Sequence, residues 1–167
     1  MFDSLQAFFA ASAESVAAFT VWSTKNSPKA QADHICYKCR SVEEFEHLRR
    51  LFENQSTFIY QSIISKRRIA IIKFLEPIKT PLGDIVFLEL SDQKPDNSQV
   101  SGFDHIEIYP VEQNLDQLVA DLEQKGTTFE KVVRPHHTTF DAHIMGEFKV
   151  RLEDEPLVQK IKREEMF

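Results

Sequence analysis

With four glycines and seven prolines among 167 residues, the chain is too poor in turn-formers to be a linker-rich or low-complexity protein. Its two cysteines exclude a disulfide framework. No apolar run approaches the roughly 18 residues that a membrane-crossing helix needs. Acidic residues outnumber basic ones, 26 to 20. A net charge of −6 argues against nonspecific binding of nucleic acid, whose phosphates call for a basic surface. No membrane or nucleic-acid partner is therefore expected. The stretch 5–22 is fairly apolar, but Asp3 stands where a secretion signal carries basic residues, and Glu14 interrupts it. An amphipathic helix docked on the domain, in a cytoplasmic protein, is the expectation.

Cys36 and Cys39 form a Cys-x-x-Cys pair. They fall on an expected strand, where side chains three apart point to opposite faces. A redox pair needs a helix N-terminus to lower its thiol pKa, and a four-thiolate zinc site needs a second pair. Neither is present, so both cysteines read as reduced and structural.

What the chain does have is apolar mass. Apolar residues make up 42%, including fourteen phenylalanines, enough to fill one interior. A single domain, 1–167, is expected. It divides into an N-terminal helical segment (1–30), two halves (31–91 and 102–155) and a short charged C-terminal helix (156–167). Leu5, Phe8, Phe9, Val16 and Phe19 form a helical stripe over 3–22 with small Ser12 between them. A strand over 32–39 and a helix over 42–52 follow, the helix opened by Ser41 with Glu44 as its capping-box partner. Strands over 57–65, 68–75 and 84–90 complete the first half, with a tight turn at Lys66-Arg67 and a longer one over 77–83. The polar stretch 91–101 is a linker. The second half repeats the order: a strand over 103–109, a helix over 114–124 stopped by Gly126, then strands over 128–133, 138–144 and 147–152. The fold class is α+β, two βαβββ modules sharing a cupped mixed sheet. Neither module has enough core to stand alone.

The repeat extends to particular residues. Asp33-His34-Ile35 and Asp104-His105-Ile106 open the two halves, and Glu89 and Glu153 close them. Alternation puts Ile106 and Ile108 on one face of their strand and His105 and Glu107 on the other. Likewise Glu89 is opposed to Leu88 and Leu90, Glu153 to Val150 and Leu152, and His34 to Ile35 and Tyr37. If the sheet curls so that its polar face is concave, His34, Glu89, His105 and Glu153 converge. Imidazole and carboxylate suit a divalent ion, whether zinc, nickel, iron, manganese or cobalt. A second polar row, His137, Thr139, Asp141 and His143, lines the same face, with Arg134 and His136 at its entrance. Glu107 reads as an acid/base group or a partner to a ligand histidine, and His47 as surface.

Two strand–helix–three-strand modules, with His on each first strand and Glu on each last, resemble the vicinal oxygen chelate superfamily of glyoxalases, extradiol dioxygenases and bleomycin-resistance proteins. The phrases Ala32-Asp33-His34-Ile35, Phe74-Leu75-Glu76-Pro77 and His105-Ile106-Glu107-Ile108 are similar, more specifically, to the YecM-type family of small bacterial proteins. The resemblance implies one divalent metal held by His34, Glu89, His105 and Glu153. It further implies a metal-dependent isomerase, lyase or dioxygenase acting on a small oxygenated substrate. Glu107, Glu153 and His137 are the candidates for moving a proton. The alternative it implies is a non-catalytic module that binds a small ligand in the same cup. Both halves lie in one chain, so a monomer can hold a complete site, and a homodimer is equally compatible.

Overall fold

Ser4 accepts a hydrogen bond from the Ala7 amide and starts α1, Leu5–Asn26, in the computed structural model, which describes residues 1–57, 59–135 and 137–165. The helix runs four residues past the expected end, since nothing breaks it before Pro28. It stops at Ser27, in the left-handed region at φ 41°. Its buried stripe is Phe8, Ser12, Ser15, Phe19, Ser23 and Asn26. Small serines let the helix lie close to the sheet. Ser12 and Ser23 donate to the Phe9 and Phe19 carbonyls, so their hydroxyls are satisfied inside the packing.

The first module is β1 (Ala30–Lys38), α2 (Val42–Glu53), β2 (Ile59–Ile64), β3 (Arg67–Thr80) and β4 (Gly83–Ser91). The second is β5 (Gly102–Pro110), α3 (Leu115–Gln124), β6 (Glu130–Val133), β7 (Thr138–Met145) and β8 (Phe148–Leu152), followed by α4 (Leu157–Glu165). One mixed sheet carries all eight strands in the order β2-β3-β4-β1-β5-β8-β7-β6. The order is palindromic. Each first strand pairs in parallel with its module's last, and β1 and β5 join the modules antiparallel. The two βαβββ modules are thus present as expected, in a sheet that stays open with β2 and β6 at its edges.

Three local expectations are corrected. The turn between β2 and β3 is Ser65-Lys66, both at positive φ, the backbone of a two-residue hairpin loop; Arg67 is already strand. The segment 77–83 is not a long turn, because β3 continues to Thr80. Pro77 sits inside the register shift between Lys73 and Ile78, where its missing N–H costs the ladder nothing. The capping box of α2 is half formed. Ser41 accepts from the Glu44 amide, but the buried Glu44 carboxylate takes the Arg40 amide, the Tyr37 hydroxyl and the Ser101 hydroxyl instead. α3 has a complete box between Asn114 and Gln117.

The helices contribute Phe8, Phe19, Phe45, Leu48, Phe52, Leu118 and Leu122 to one core with Ile35, Tyr37, Leu88, Leu90, Ile106, Ile108, Val150 and Leu152 of the central strands. Phe8 is its hub, with ring centroids 5.2–5.7 Å from Phe2, Phe9, Tyr37, Phe52 and Phe103. All of this lies on one side of the sheet. The intervening residues of β4, β1, β5 and β8 are left to the other side, and there the polar groups collect.

Both cysteines are free and buried, Cys39 in the core and Cys36 on the polar face, as the three-residue spacing requires. Burial pushes both thiols well up from the usual range, with Glu89 adding for Cys36 and Glu44 for Cys39. A thiol reagent is therefore expected to modify neither cysteine in the native chain and both after guanidinium unfolding. Rapid labelling of the native protein would contradict this packing.

Candidate metal centre

Two rows of side chains cross the polar face. In one, the strand registers align Glu89, Cys36, His105 and Lys149; in the next, Phe87, His34, Glu107, Arg151 and Asp141. His34, Glu89, His105 and Glu107 therefore stand on the three adjacent strands β4, β1 and β5. Their convergence comes from register in an open sheet and needs no curling.

His34 Nε2 lies 3.4 Å from Glu89 Oε2 and 3.5 Å from Glu107 Oε2, and His105 Nε2 lies 4.0 Å from Glu107 Oε2. One atom each of His34, His105 and Glu107 falls within 4.8 Å of the others, an arrangement able to hold a metal ion. Cys36, Glu89 and His105 form a second such group sharing His105. Cys36 Sγ is 3.6 Å from Glu89 Oε1.

Both histidines are fixed from behind in the same way. His34 Nδ1 lies 2.8 Å from Asp33 Oδ1, and His105 Nδ1 lies 2.8 Å from Asp104 Oδ2. Side chains of neighbouring strand residues ordinarily point to opposite faces. Here each aspartate is the extra residue of a β-bulge. Ala32 and His34 pair with consecutive Ile108 and Glu107, skipping Asp33; His105 and Phe103 pair with consecutive Cys36 and Tyr37, skipping Asp104. A bulge re-aims a side chain, and these two bring each carboxylate beside its histidine. The Nδ1–H donation leaves each Nε2 as the free end of the ring. Both Nε2 atoms are buried with no hydrogen-bond partner among the described residues. The Glu89 and Glu107 carboxylates, 3.4 and 3.5 Å from His34 Nε2, are within ion-pair range but not in hydrogen-bond alignment.

The electrostatics favour a cation at this point. Burial opposes charge on His34, yet Glu107, Asp33 and Glu89 together hold its pKa well above the usual value. Burial and the Arg151 charge push His105 down to about 4, so it is a neutral imidazole. Burial raises Glu107 to about 7, with Glu153 and Glu89 adding to the rise. Glu89, although buried, is held well below the carboxylate range by His34 and His105. Three carboxylates thus surround His34, where a divalent ion would serve better than a single proton.

The registers also locate the remaining expected residues. His34 pairs with Phe87 and His105 with Lys149, so Glu89 corresponds to Arg151, and Glu153 to Ser91. Glu153 lies just past β8. Its carboxylate is 2.9 Å from His137 Nε2 and 2.9 Å from Lys160 Nζ of α4, outside the two metal-capable groups. Arg151 is gripped at 2.8 and 2.9 Å by both oxygens of Asp141. Thr139 is buried, while His143 is exposed, 3.2 Å from the Gly146 carbonyl. Arg134 lines the cavity over this face; His136 lies outside the described residues. His47 is not simply surface: its Nε2 bonds the Phe2 carbonyl and ties α2 to the N-terminus.

A family model described as "YecM protein" matches residues 1–162. The chain belongs to the YecM family. Among solved structures, protein EC4020 from structural genomics shares the YecM chain's fold at 20% identity, with a TM-score of 0.74 over 98% of this chain and 93% of that one. The methylmalonyl-CoA epimerase of Streptomyces coelicolor, in complex with 2-nitronate-propionyl-CoA, aligns at 16% identity and a TM-score of 0.47 over 73% and 94%. A variant of the fosfomycin resistance protein FosX from Listeria monocytogenes, complexed with manganese(II), aligns at 11% and 0.29 over 77% and 95%. No curated protein matches the sequence. The paired modules of this YecM member are the arrangement implied by the resemblance to the vicinal oxygen chelate superfamily. No helix among the described residues is long and apolar enough to cross a membrane.

Sequence reasoning missed Asp33, Asp104 and Arg151. The two aspartates were visible as part of the repeated phrase itself. Their role was hidden because regular alternation assigns them to the wrong face.

Proposed function

We propose that the chain binds one divalent metal ion through His34, His105 and Glu107, with Glu89 beside them as a fourth donor, and uses it to hold a small oxygenated molecule. The observation that carries this reading is the pair of buried Nε2 atoms, both within 4.0 Å of the Glu107 carboxylate and each on an imidazole locked by its own aspartate. Two imidazoles and a carboxylate suit zinc, nickel, iron, manganese or cobalt, and leave positions open for a ligand. When bound, the ion supplies Lewis acidity toward the oxygens of that ligand.

The remaining roles belong to the chain. Asp33 and Asp104 orient the imidazoles. Arg151, held in place by Asp141, stands where a symmetric repeat would put a second Glu89, and its positive charge replaces a further carboxylate at the site. Glu153 and His137, joined at 2.9 Å, are with Glu107 the candidates for moving a proton. The test is elemental analysis of the untagged protein after dialysis, with and without added zinc, nickel, manganese or iron. About one equivalent per chain is expected. A chain that retains and takes up none of these ions refutes the reading.

A further inference from the structure

Above the polar face lies a cavity of about 590 Å³, with Cys36, Glu89 and His105 of the proposed metal site in its wall. Six cationic residues line it: Lys38, Lys66, Arg67, Lys94, Arg134 and Arg151. Glu89 and Asp96 are the carboxylates among its lining residues. In a chain of net charge −6, this concentration of cations runs against the overall balance and focuses a positive potential inside one concavity.

Not all six are available. Lys38 is held by Asp104 at 2.7 Å, Arg151 by Asp141, and Lys94 is tempered by the nearby Asp96. Lys66 is exposed and Arg134 half-buried, and neither has an ion pair among the described residues. Arg67 spends one nitrogen on the neutral Gln99 at 3.1 Å, while its Nε is buried without a partner. Ser91, 1% exposed, lines the same cavity, and its hydroxyl also lacks a partner. A buried donor left unpaired is destabilising, and guanidinium groups offer donors only. The missing complement is therefore a set of acceptor oxygens carrying negative charge.

These donors come from separate places: the β2–β3 turn (Lys66), the start of β3 (Arg67), the end of β4 (Ser91) and the connection before β7 (Arg134). Both modules contribute to the cavity wall. Its volume is in the range of small-molecule sites, roughly 300–1,000 Å³, and well beyond a single inorganic ion.

We infer that the ligand of this cavity is a small organic oxyanion, its phosphoryl or carboxylate charge met by Lys66, Arg67, Ser91 and Arg134. This deepens the proposed function by naming the ligand class, and it rests on that reading only for the ligand's second attachment, at the metal. Phosphoryl and carboxylate sources share the chemistry and are separated by the choice of probe.

The experiment is calorimetric titration of the full chain, both chelator-treated and nickel-loaded, with 2-phosphoglycolate, malonate and the neutral propane-1,2-diol. At least one oxyanion is expected to bind the chelator-treated chain with Kd below about 1 mM, more weakly as salt rises, while the diol does not bind. Lys66→Ala with Arg134→Ala is expected to weaken that binding about tenfold or more without changing nickel stoichiometry. Nickel is expected to tighten it. If the chain takes up no nickel, the metal reading fails alone and the chelator-treated arm still decides this one. Absence of oxyanion binding in both forms, equal affinity for the diol, or an unchanged affinity in the double variant overturns the inference.

Discussion

His34→Ala combined with His105→Ala is expected to remove metal binding outright, with the fold retained. Both side chains are buried, yet they face the polar side of the sheet, away from the phenylalanine-rich core. The more telling comparison is Asp33→Ala. Asp33 is not among the proposed ligands; it holds His34 through Nδ1 at 2.8 Å. Loss of such an orienting partner typically costs about 10–100-fold in metal affinity. Asp33→Asn keeps an acceptor in place and should fall between alanine and the parent. Competition with a fluorescent chelator gives these affinities directly. If Asp33→Ala binds metal as tightly as the parent, the bulged aspartates have no part in orienting the ligands.

Phe8→Ala is expected to be the most damaging single truncation in the helical layer. Phe8 is fully buried and makes five aromatic contacts spanning α1, β1, α2, β5 and Phe2 ahead of α1. Removing such a ring costs about 3–5 kcal/mol, transfer and cavity terms together. For a chain of this length, that lowers Tm by about 10 °C. Val21→Ala, on the exposed face of the same helix at 70% exposure, should change Tm by no more than about 1–2 °C. Circular dichroism melts of the two variants check the contrast. Metal stoichiometry at low temperature should survive Phe8→Ala, because the sheet separates the cluster from the cavity created. A loss under about 1 kcal/mol would mean that neighbouring rings collapse into the space.

The modular architecture was legible because each half repeats its periodicity and its opening phrase. The faces of His34, Glu89, His105 and Glu107 followed from simple alternation within strands. Alternation fails where one strand gains a residue on its partner. Asp33 and Asp104 lie at two such places, and a bulge depends on the register of the opposing strand, which no local pattern encodes. The same limit explains Glu153. It was matched with Glu89 by its place near the end of a strand, whereas parallel pairing sets Arg151 in that position. Pro77 shows the converse, a residue that normally ends a strand absorbed at an irregularity in it. The cationic rim was invisible for another reason. Lys66, Lys94 and Arg134 are far apart in the chain, and only the strand order of the folded sheet brings their connections to one cavity.

The antiparallel seam between β1 and β5 has a consequence for how such a centre can change over time. Two identical modules meeting across a two-fold axis must present every residue twice, so any altered donor is altered on both sides at once. Covalent fusion lifts that restriction. Along this seam the related positions already differ: Cys36 faces the role of Glu107, and Glu89 that of Arg151, while the histidines and their aspartates remain duplicated. The two halves therefore present different charges at matching positions, Glu89 against Arg151 and Cys36 against Glu107, so any molecule held there would meet two unlike sides, which a symmetric pair could never offer.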